Sequence, residues 1–190
     1  MTPTSRQQAV KEARAWIAEN PLYLDTETTG LGVSDAVVEI ALVDQQGKIL
    51  LDTLVKPNRS IPPEATAVHG ITREMTSDAP AWPDVWAKVE PLLHNRPVGM
   101  YNAEFDLKLI QQTHYLNWMR WSPPAGAQFF DIMDLYARFR GERNLRSTGY
   151  RWVSLEQAVR QCRIPVTSTH RAKDDTLLTR ALLNFIAAQG

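Results

Sequence analysis

The sequence predicts an α/β protein in which helices cover a single mixed β-sheet. Three apolar, strand-like runs follow one another within residues 22–55, and a short turn joins the last two, which is typical of antiparallel neighbours. Further along, short apolar runs alternate with segments of helical periodicity, which is typical of parallel strands. The 190 residues contain no internal repeat or linker, so one domain is expected.

The elements follow in order from apolar periodicity and from helix breakers. A first helix at 5–19 ends before Pro21, because proline lacks an amide hydrogen and cannot continue a helix. We therefore divide the chain into an N-terminal helical extension, 1–20, and a single domain, 21–190. Predicted strands cover 22–27, 37–43, 49–55, 97–101 and 129–130, and the remaining predicted helices cover 64–68, 72–76, 83–94, 103–118, 132–140, 154–162 and 171–188.

Local signals refine this outline. Asn102, Asp131 and Ser154 are predicted N-caps, because their side chains can accept hydrogen bonds from first-turn amides. The polar segment 141–151 is predicted to be a mobile loop, and 165–169 a further loop.

Some residues are expected to have structural roles. Trp82 and Trp86 lie four residues apart and are predicted to pack together on one helix face. His114 is predicted to be a solvated residue of a helix. Cys162 is the single cysteine, which excludes an internal disulfide and is typical of a reducing compartment.

Overall charge limits the function classes. The formal net charge is zero and the sequence pI is about 6.9, whereas a protein that coats nucleic acid is normally basic. A nucleic-acid substrate would therefore be held locally and released often. The first 20 residues lack a long apolar run, and no stretch has the length of a membrane span. A cytoplasmic protein without membrane attachment is expected.

The strongest chemical signal lies at the end of the first predicted strand. Asp25 and Glu27 are one residue apart, so along a strand they point to the same face. Neighbouring carboxylates repel each other, and a divalent metal ion bound through oxygen would compensate their charge. The alternative is a strand end with solvated acids or an Asx-turn, and spacing alone does not decide between them.

Further acids occur on predicted helices beside apolar stripes. Asp106 lies near such a stripe, and Asp175 shares its face with Leu178, Leu182 and Phe185. A buried acid without a partner is costly. Four inward acids at one sheet edge favour a two-metal site, in which ions ~3.5–4 Å apart promote in-line displacement at phosphorus. His170 could act as a general base near neutral pH, although a lone histidine beside a helix is more often solvated.

Three motifs contain these residues: Asp25-Thr-Glu-Thr-Thr-Gly30, Asn102-Ala-Glu-Phe-Asp106, and His170 five residues before Asp175. Together with the segment 68–72 they resemble the motifs of the DEDDh 3′–5′ exonucleases. This DnaQ-like family includes the proofreading subunit of bacterial DNA polymerase III and has a ribonuclease H-like fold. The resemblance covers about residues 20–188.

The resemblance implies roles for individual residues. Asp25, Glu27, Asp106 and Asp175 would bind two Mg²⁺ or Mn²⁺ ions, and His170 would be the general base. Helical geometry from His170 alone would favour Asp174, which is the alternative ligand, whereas the family spacing selects Asp175. Implied substrate contacts are made by Thr26, Leu31, His69 and Asn102.

The implied activity is hydrolysis of phosphodiester bonds from the 3′ end of nucleic acid, with single-stranded DNA expected and 5′-mononucleotides released. One alternative is an exoribonuclease of the same family, such as oligoribonuclease or ribonuclease T. Another is a catalytically inactive binding domain, which the complete motif set disfavours. The sequence ends directly after the last predicted helix, without the extension by which the proofreading subunit binds polymerase. A stand-alone or homodimeric enzyme is therefore expected rather than a tethered one.

Overall fold

A computed structural model describes residues 3–144, 148–166 and 170–189. Their central feature is a five-stranded sheet in the order β3-β2-β1-β4-β5. The first three strands pair antiparallel, and the last two continue the sheet in parallel with β1. The predicted mixed sheet is thereby confirmed. The strands are β1 (Leu22–Thr28), β2 (Val37–Asp44), β3 (Ile49–Leu54), β4 (Pro97–Met100) and β5 (Gln128–Asp131).

Helices cover both faces of this sheet. They are α1 (Ser5–Ala18), α2 (Pro63–His69), α3 (Arg73–Thr76), α4 (Trp82–Leu93), α5 (Ala103–Leu116), α6 (Ile132–Arg140), α7 (Leu155–Gln161) and α8 (Ala172–Ala188). Side chains of β1 alternate between two core clusters. Leu22 and Leu24 pack with α4 and α5, whereas Tyr23 packs with α1, α6, α7 and α8. Since both faces are covered, the first three residues of β1 are all apolar and buried.

The first helix is part of the second core cluster. Ala9 and Ala13 are fully buried there, beside residues of α6 and α8. The division into an extension at 1–20 and a domain at 21–190 stays a prediction. Within the described ranges, no helix is long and apolar enough to cross a membrane.

Two of the three predicted N-caps are confirmed. Asp131 accepts hydrogen bonds from the amides of Met133 and Asp134, and Ser154 accepts one from Gln157. Asn102 occupies the predicted N-cap position of α5, but its side chain makes no capping hydrogen bond. The residue is in the left-handed conformation (φ 71°), because the chain reverses there from β4 into α5.

Two other expectations need comment. His114, predicted to be solvated, is 1% exposed, because Trp82, Trp86 and Trp121 pack around its ring. The predicted packing of Trp82 on Trp86 is confirmed, with ring centroids 5.6 Å apart. The predicted loops at 141–151 and 165–169 extend over residues 145–147 and 167–169, which lie outside the described residues.

Candidate active site

The carboxylates of β1 owe their position to the register of the sheet. β1 lies between β2 and β4, and it pairs with β2 along its whole length. Asp25 and Glu27 follow Tyr23 at a spacing of two, so they share its face, which α8 covers. The carboxylates therefore leave the sheet on the side from which α8 approaches.

Asp175, in the first turn of α8, meets these two acids. Asp25, Glu27 and Asp175 each offer a carboxylate oxygen, and the three oxygens lie within 4.8 Å of one another. All three residues are half-buried. The Oδ1 atom of Asp175 is buried and has no hydrogen-bond partner among the described residues. Three converging carboxylates with an unpaired buried oxygen fit a hard divalent cation.

Asp106 approaches the same strand from the other face. Thr26 points away from Asp25 and Glu27, toward α5, and its hydroxyl donates a 2.7 Å hydrogen bond to Oδ1 of Asp106. Asp106 is only 2% exposed. It does not belong to the group of three oxygens defined above, although its charge acts on Asp25.

The electrostatics of the cluster favour a bound cation. Burial, and then the charges of neighbouring carboxylates, raise the pKa of Asp25 well above its ordinary value. The same causes raise the pKa of Glu27 to about 8. Burial raises the pKa of Asp106 to about 7 and that of Asp175 to about 6, while hydrogen bonds from Thr26 and His170 oppose these shifts. Without a cation, the site therefore retains protons near neutral pH.

The start of α8 is fixed by a buried acid that the sequence analysis did not identify. Glu39 of β2 is 1% exposed and lies directly opposite Glu27 in the sheet. Its two oxygens accept hydrogen bonds from the Arg171 guanidinium, and Oε2 also accepts the Ala172 amide at 2.8 Å. We call this arrangement the Glu39–Arg171 clasp. The available signal was a single charge within the apolar run 37–43.

His170 precedes the clasp and has a positive φ of 62°. Its backbone amide donates to Oδ2 of Asp175 at 3.2 Å, while the residue itself is exposed. The charge of the His170 ring lowers the pKa of Asp175, which places the ring in electrostatic range of the carboxylates. Asp174, the alternative ligand, does not join the group of three carboxylates.

A cavity of about 520 Å³ opens beside Glu27. Leu31, at its rim, is 77% exposed. His69 also contributes to the lining but is 5% exposed, and both of its ring nitrogens are engaged. Nδ1 accepts the Ile71 amide, so the proton lies on Nε2, which donates to the Thr28 carbonyl. His69 can therefore offer the cavity a ring edge rather than a free nitrogen.

The two other residues predicted to contact substrate, Thr26 and Asn102, differ in their position relative to the cavity. Thr26 contributes to the cavity lining, although its hydroxyl is used on Asp106. Asn102 does not contribute to the lining, and its backbone amide donates to the Asp131 carboxylate at 3.3 Å. The roles of Thr26, Leu31, His69 and Asn102 toward a substrate stay predictions.

Comparison with known proteins adds independent information. The family model described as Exonuclease (RNase_T) matches residues 22–183. An uncharacterized exonuclease of Escherichia phage 186 is 39% identical over 187 residues, which are 95% of this chain and 94% of that protein. The DNA polymerase III subunit epsilon of Treponema pallidum is 27% identical over 168 residues, or 86% of this chain and 74% of that protein.

Among solved structures, exonuclease X in complex with 5′ overhanging duplex DNA gives a TM-score of 0.63 at 28% identity. The match covers 89% of this chain and 92% of that chain. The family match begins at the first residue of β1 and extends through the first turns of α8, so it includes all four acids of the three motifs. The chain is thus an enzyme that belongs to the exonuclease family, and its predicted resemblance to DnaQ-like exonucleases is confirmed.

Proposed function

We propose that this enzyme is a metal-dependent 3′–5′ exonuclease that releases 5′-mononucleotides from the 3′ end of DNA. The observation that carries the proposal is the convergence of Asp25, Glu27 and Asp175 beside a cavity of about 520 Å³. That volume lies within the usual range of small-ligand pockets, about 300–1,000 Å³. A terminal nucleotide in the cavity would place its phosphodiester next to the carboxylates.

Two Mg²⁺ or Mn²⁺ ions are the proposed cofactors. When bound, such ions supply a nucleophilic hydroxide and neutralise charge on the attacking and leaving oxygens. Asp25, Glu27 and Asp175 would hold them together with Asp106, whose Oδ1 accepts the Thr26 hydroxyl. Oxygen ligands of this kind suit these hard cations.

His170 is the proposed general base. His170 is exposed and its backbone amide contacts the Asp175 carboxylate, so its ring would lie beside the metal site and would pass a proton on to solvent. The amide of the same residue holds Oδ2 of Asp175, which leaves Oδ1 for a cation. One residue would thereby orient a ligand and accept a proton.

DNA is the proposed substrate because the solved structure of exonuclease X, which the chain matches at 28% identity over nearly its full length, is a complex with duplex DNA. We expect single-stranded or frayed ends to be preferred, since a terminal base has to leave its stack before its phosphodiester reaches the buried acids. The net charge of zero favours weak, local binding.

A digestion panel tests the proposal. Single- and double-stranded DNA and RNA, each labelled at the 5′ end so that 3′ trimming is visible as a ladder, are incubated with Mg²⁺, Mn²⁺ or EDTA. We expect stepwise shortening of single-stranded DNA with either ion, and none in EDTA. The variant Asp25→Asn/Glu27→Gln controls for contaminating nucleases. Cleavage of a closed circular single strand would overturn the exonuclease assignment, and faster digestion of RNA would overturn the assignment of DNA.

A further inference from the structure

A second cleft, of about 430 Å³, lies away from the carboxylates. Its lining contains three cationic residues and no acidic one: Lys56, Pro57, Asn58, Arg59, Ser60, Arg73, Thr76 and Ser77. The chain as a whole is neutral, with 21 basic and 21 acidic residues. Three positive charges thus lie together in this cleft, which we call the basic cleft.

The charges of the basic cleft are available to a ligand. Lys56 and Arg73 are exposed, and neither forms an ion pair with a carboxylate of the described residues. Arg59 is partly used, because its guanidinium donates to the Ser34 carbonyl and lies 3.8 Å from Oδ1 of Asp35. Two cations thus remain unpaired, and a third is held in place beside them.

The backbone around these cations is anchored. The Lys56 amide donates to the Pro80 carbonyl at 2.9 Å. The Asn58 side-chain amide donates to the Leu116 carbonyl at 3.0 Å, which ties the loop to the end of α5. A site whose walls are fixed before binding loses less conformational entropy when a ligand arrives.

The basic cleft lies at the same end of the sheet as the carboxylates. β1 ends at Thr28 and β3 ends at Leu54, two residues before Lys56. Asp35 lines the large cavity, and its partner Arg59 lines the basic cleft, so the two spaces are separated by that ion pair. A nucleic-acid strand whose terminal nucleotide occupies the cavity can extend across this ion pair into the basic cleft.

We propose that the basic cleft binds a backbone phosphate of the nucleic-acid strand, upstream of the nucleotide that is being removed. This inference rests on the proposed function. Lysine and arginine neutralise phosphate, and arginine does so with two parallel donors. Free phosphate shares this chemistry, but a cleft that is separated from the substrate cavity by the Arg59–Asp35 ion pair alone favours a phosphate of the same strand. A neutral enzyme would thereby hold a polyanion through one concentrated contact.

The test compares a long and a short substrate. The variant Lys56→Ala/Arg73→Ala is assayed on a single-stranded oligodeoxynucleotide of ten nucleotides and on the p-nitrophenyl ester of thymidine 5′-monophosphate, which has no upstream phosphate. KM for the oligonucleotide should rise roughly tenfold. The ester should be hydrolysed with unchanged kinetics. The slope of log affinity against log salt for the oligonucleotide should become shallower by about 0.7, which is the contribution of one contacted phosphate of a single strand.

The matched control is Lys11→Ala/Lys48→Ala. It also removes two exposed positive charges, but from α1 and from the β2–β3 turn, which lies at the other end of β2 and β3. Equal effects of both double variants on the oligonucleotide would overturn the inference. So would an equal rise of KM for oligonucleotide and ester. If inorganic phosphate protected the wild type but not the Lys56→Ala/Arg73→Ala variant against thermal unfolding, with no change of oligonucleotide KM, the cleft would be a free-phosphate site and the strand assignment would be wrong.

Failure of the proposed function gives a different result. If the wild type hydrolysed neither substrate, binding would be measured instead. The same ten-nucleotide strand, carrying a fluorescent label, would be titrated with each variant in EDTA and followed by fluorescence anisotropy. Weaker binding by Lys56→Ala/Arg73→Ala than by the lysine control would then support the basic cleft without any catalysis. Identical binding by both would overturn it.

Discussion

The two halves of the candidate site are held in different ways. On β1, Asp25 and Glu27 belong to a strand that pairs with β2 along its whole length, so several backbone hydrogen bonds fix their register. At the start of α8, Asp175 depends on one buried acid, because Glu39 accepts hydrogen bonds from Arg171 and from the Ala172 amide. Strand pairing fixes the positions of Asp25 and Glu27, whereas the Glu39–Arg171 clasp fixes the start of the helix that carries Asp175.

This difference shows where the site is sensitive to mutation. A change on β1 alters ligand chemistry while the distributed pairing of the sheet persists. A change in the Glu39–Arg171 clasp leaves every proposed ligand in the chain but releases the helix end that carries Asp175 and His170. Replacement of an acid on β1 should abolish hydrolysis without altering the fold. Replacement of a clasp residue should lower the rate of hydrolysis, because Asp175 and His170 are then positioned less well.

The largest expected effect separates the adjacent acids of α8. Asp175→Asn should reduce turnover to near background and weaken metal binding, because a charged ligand becomes neutral at almost constant size. Asp174→Asn should keep most activity and cost at most about 0.3–1 kcal/mol, since it only loses a favourable charge at a helix N-terminus. Turnover and metal-dependent melting of both variants provide the measurement. If Asp174→Asn were the inactive variant, the third motif would be displaced by one residue.

His170→Ala should have the next largest effect. Loss of a general base lowers the chemical step by roughly 10²–10⁴-fold. Metal binding, followed by thermal shift, should survive, because the ring is not one of the grouped ligands. Near-normal turnover at neutral pH would remove His170 from the mechanism.

Glu39→Gln probes the clasp directly. The glutamine side chain keeps the shape of glutamate, and its oxygen can still accept a hydrogen bond from the Ala172 backbone amide. It lacks the negative charge that pairs with Arg171. We expect a fall in kcat of roughly tenfold, which corresponds to about 1.4 kcal/mol in the barrier. Glu12→Gln is the matched control, because it breaks the Glu12–Arg138 ion pair between α1 and α6. Equal kcat values for the two variants would show that the clasp does not position the site.

The smallest expected effect is the pH dependence of stability without metal. Glu27 and Asp175 have folded pKa values of about 8 and about 6, above the unfolded values near 4. Between about pH 4 and pH 8 the folded protein therefore binds more protons than the unfolded chain. The contribution of these two groups to the free energy of unfolding is largest below about pH 4 to 5, and it falls as the pH rises toward 8. Melting in EDTA should show this fall, and Mg²⁺ should reverse it. Each kcal/mol shifts Tm by about 2–4 °C.

Wild type and Asp25→Asn/Asp175→Asn should therefore differ in the slope of Tm against pH. The variant removes two of the mutually repelling carboxylates, so its metal-free Tm should depend less on pH. A wild-type Tm in EDTA that rises between pH 5 and pH 8 would contradict the raised pKa values.

Local sequence patterns were sufficient to predict the directions in which the carboxylates point. Alternation in the run 22–27 gave the shared face of Asp25 and Glu27, and the apolar stripe of the last helix gave the inward direction of Asp175. Both signals depend on residues within a few positions of the acid. The mixed character of the sheet was predicted from the same periodicities, because a short turn joins antiparallel neighbours and a helical crossover joins parallel ones.

Long-range partners could not be predicted in this way. Glu39 and Arg171 are 132 positions apart, and nothing local to either residue identifies the other. His114 was misjudged because Trp121, one of the rings that bury it, lies beyond the end of its helix. The backbone of Asn102 was misjudged because the turn from β4 into α5 needs a left-handed residue, which overrides the usual capping geometry.

The position of α8 in the chain has a consequence for biosynthesis. This helix packs on β1 and β2 and supplies Asp175, yet every other described element is synthesised before it. A nascent chain emerges from the ribosome at about 5–20 residues per second, and its early strands can pair while α8 is still missing. During that interval the carboxylates of β1 have no third partner. The nuclease site of the growing polypeptide would therefore stay incomplete until α8 docks.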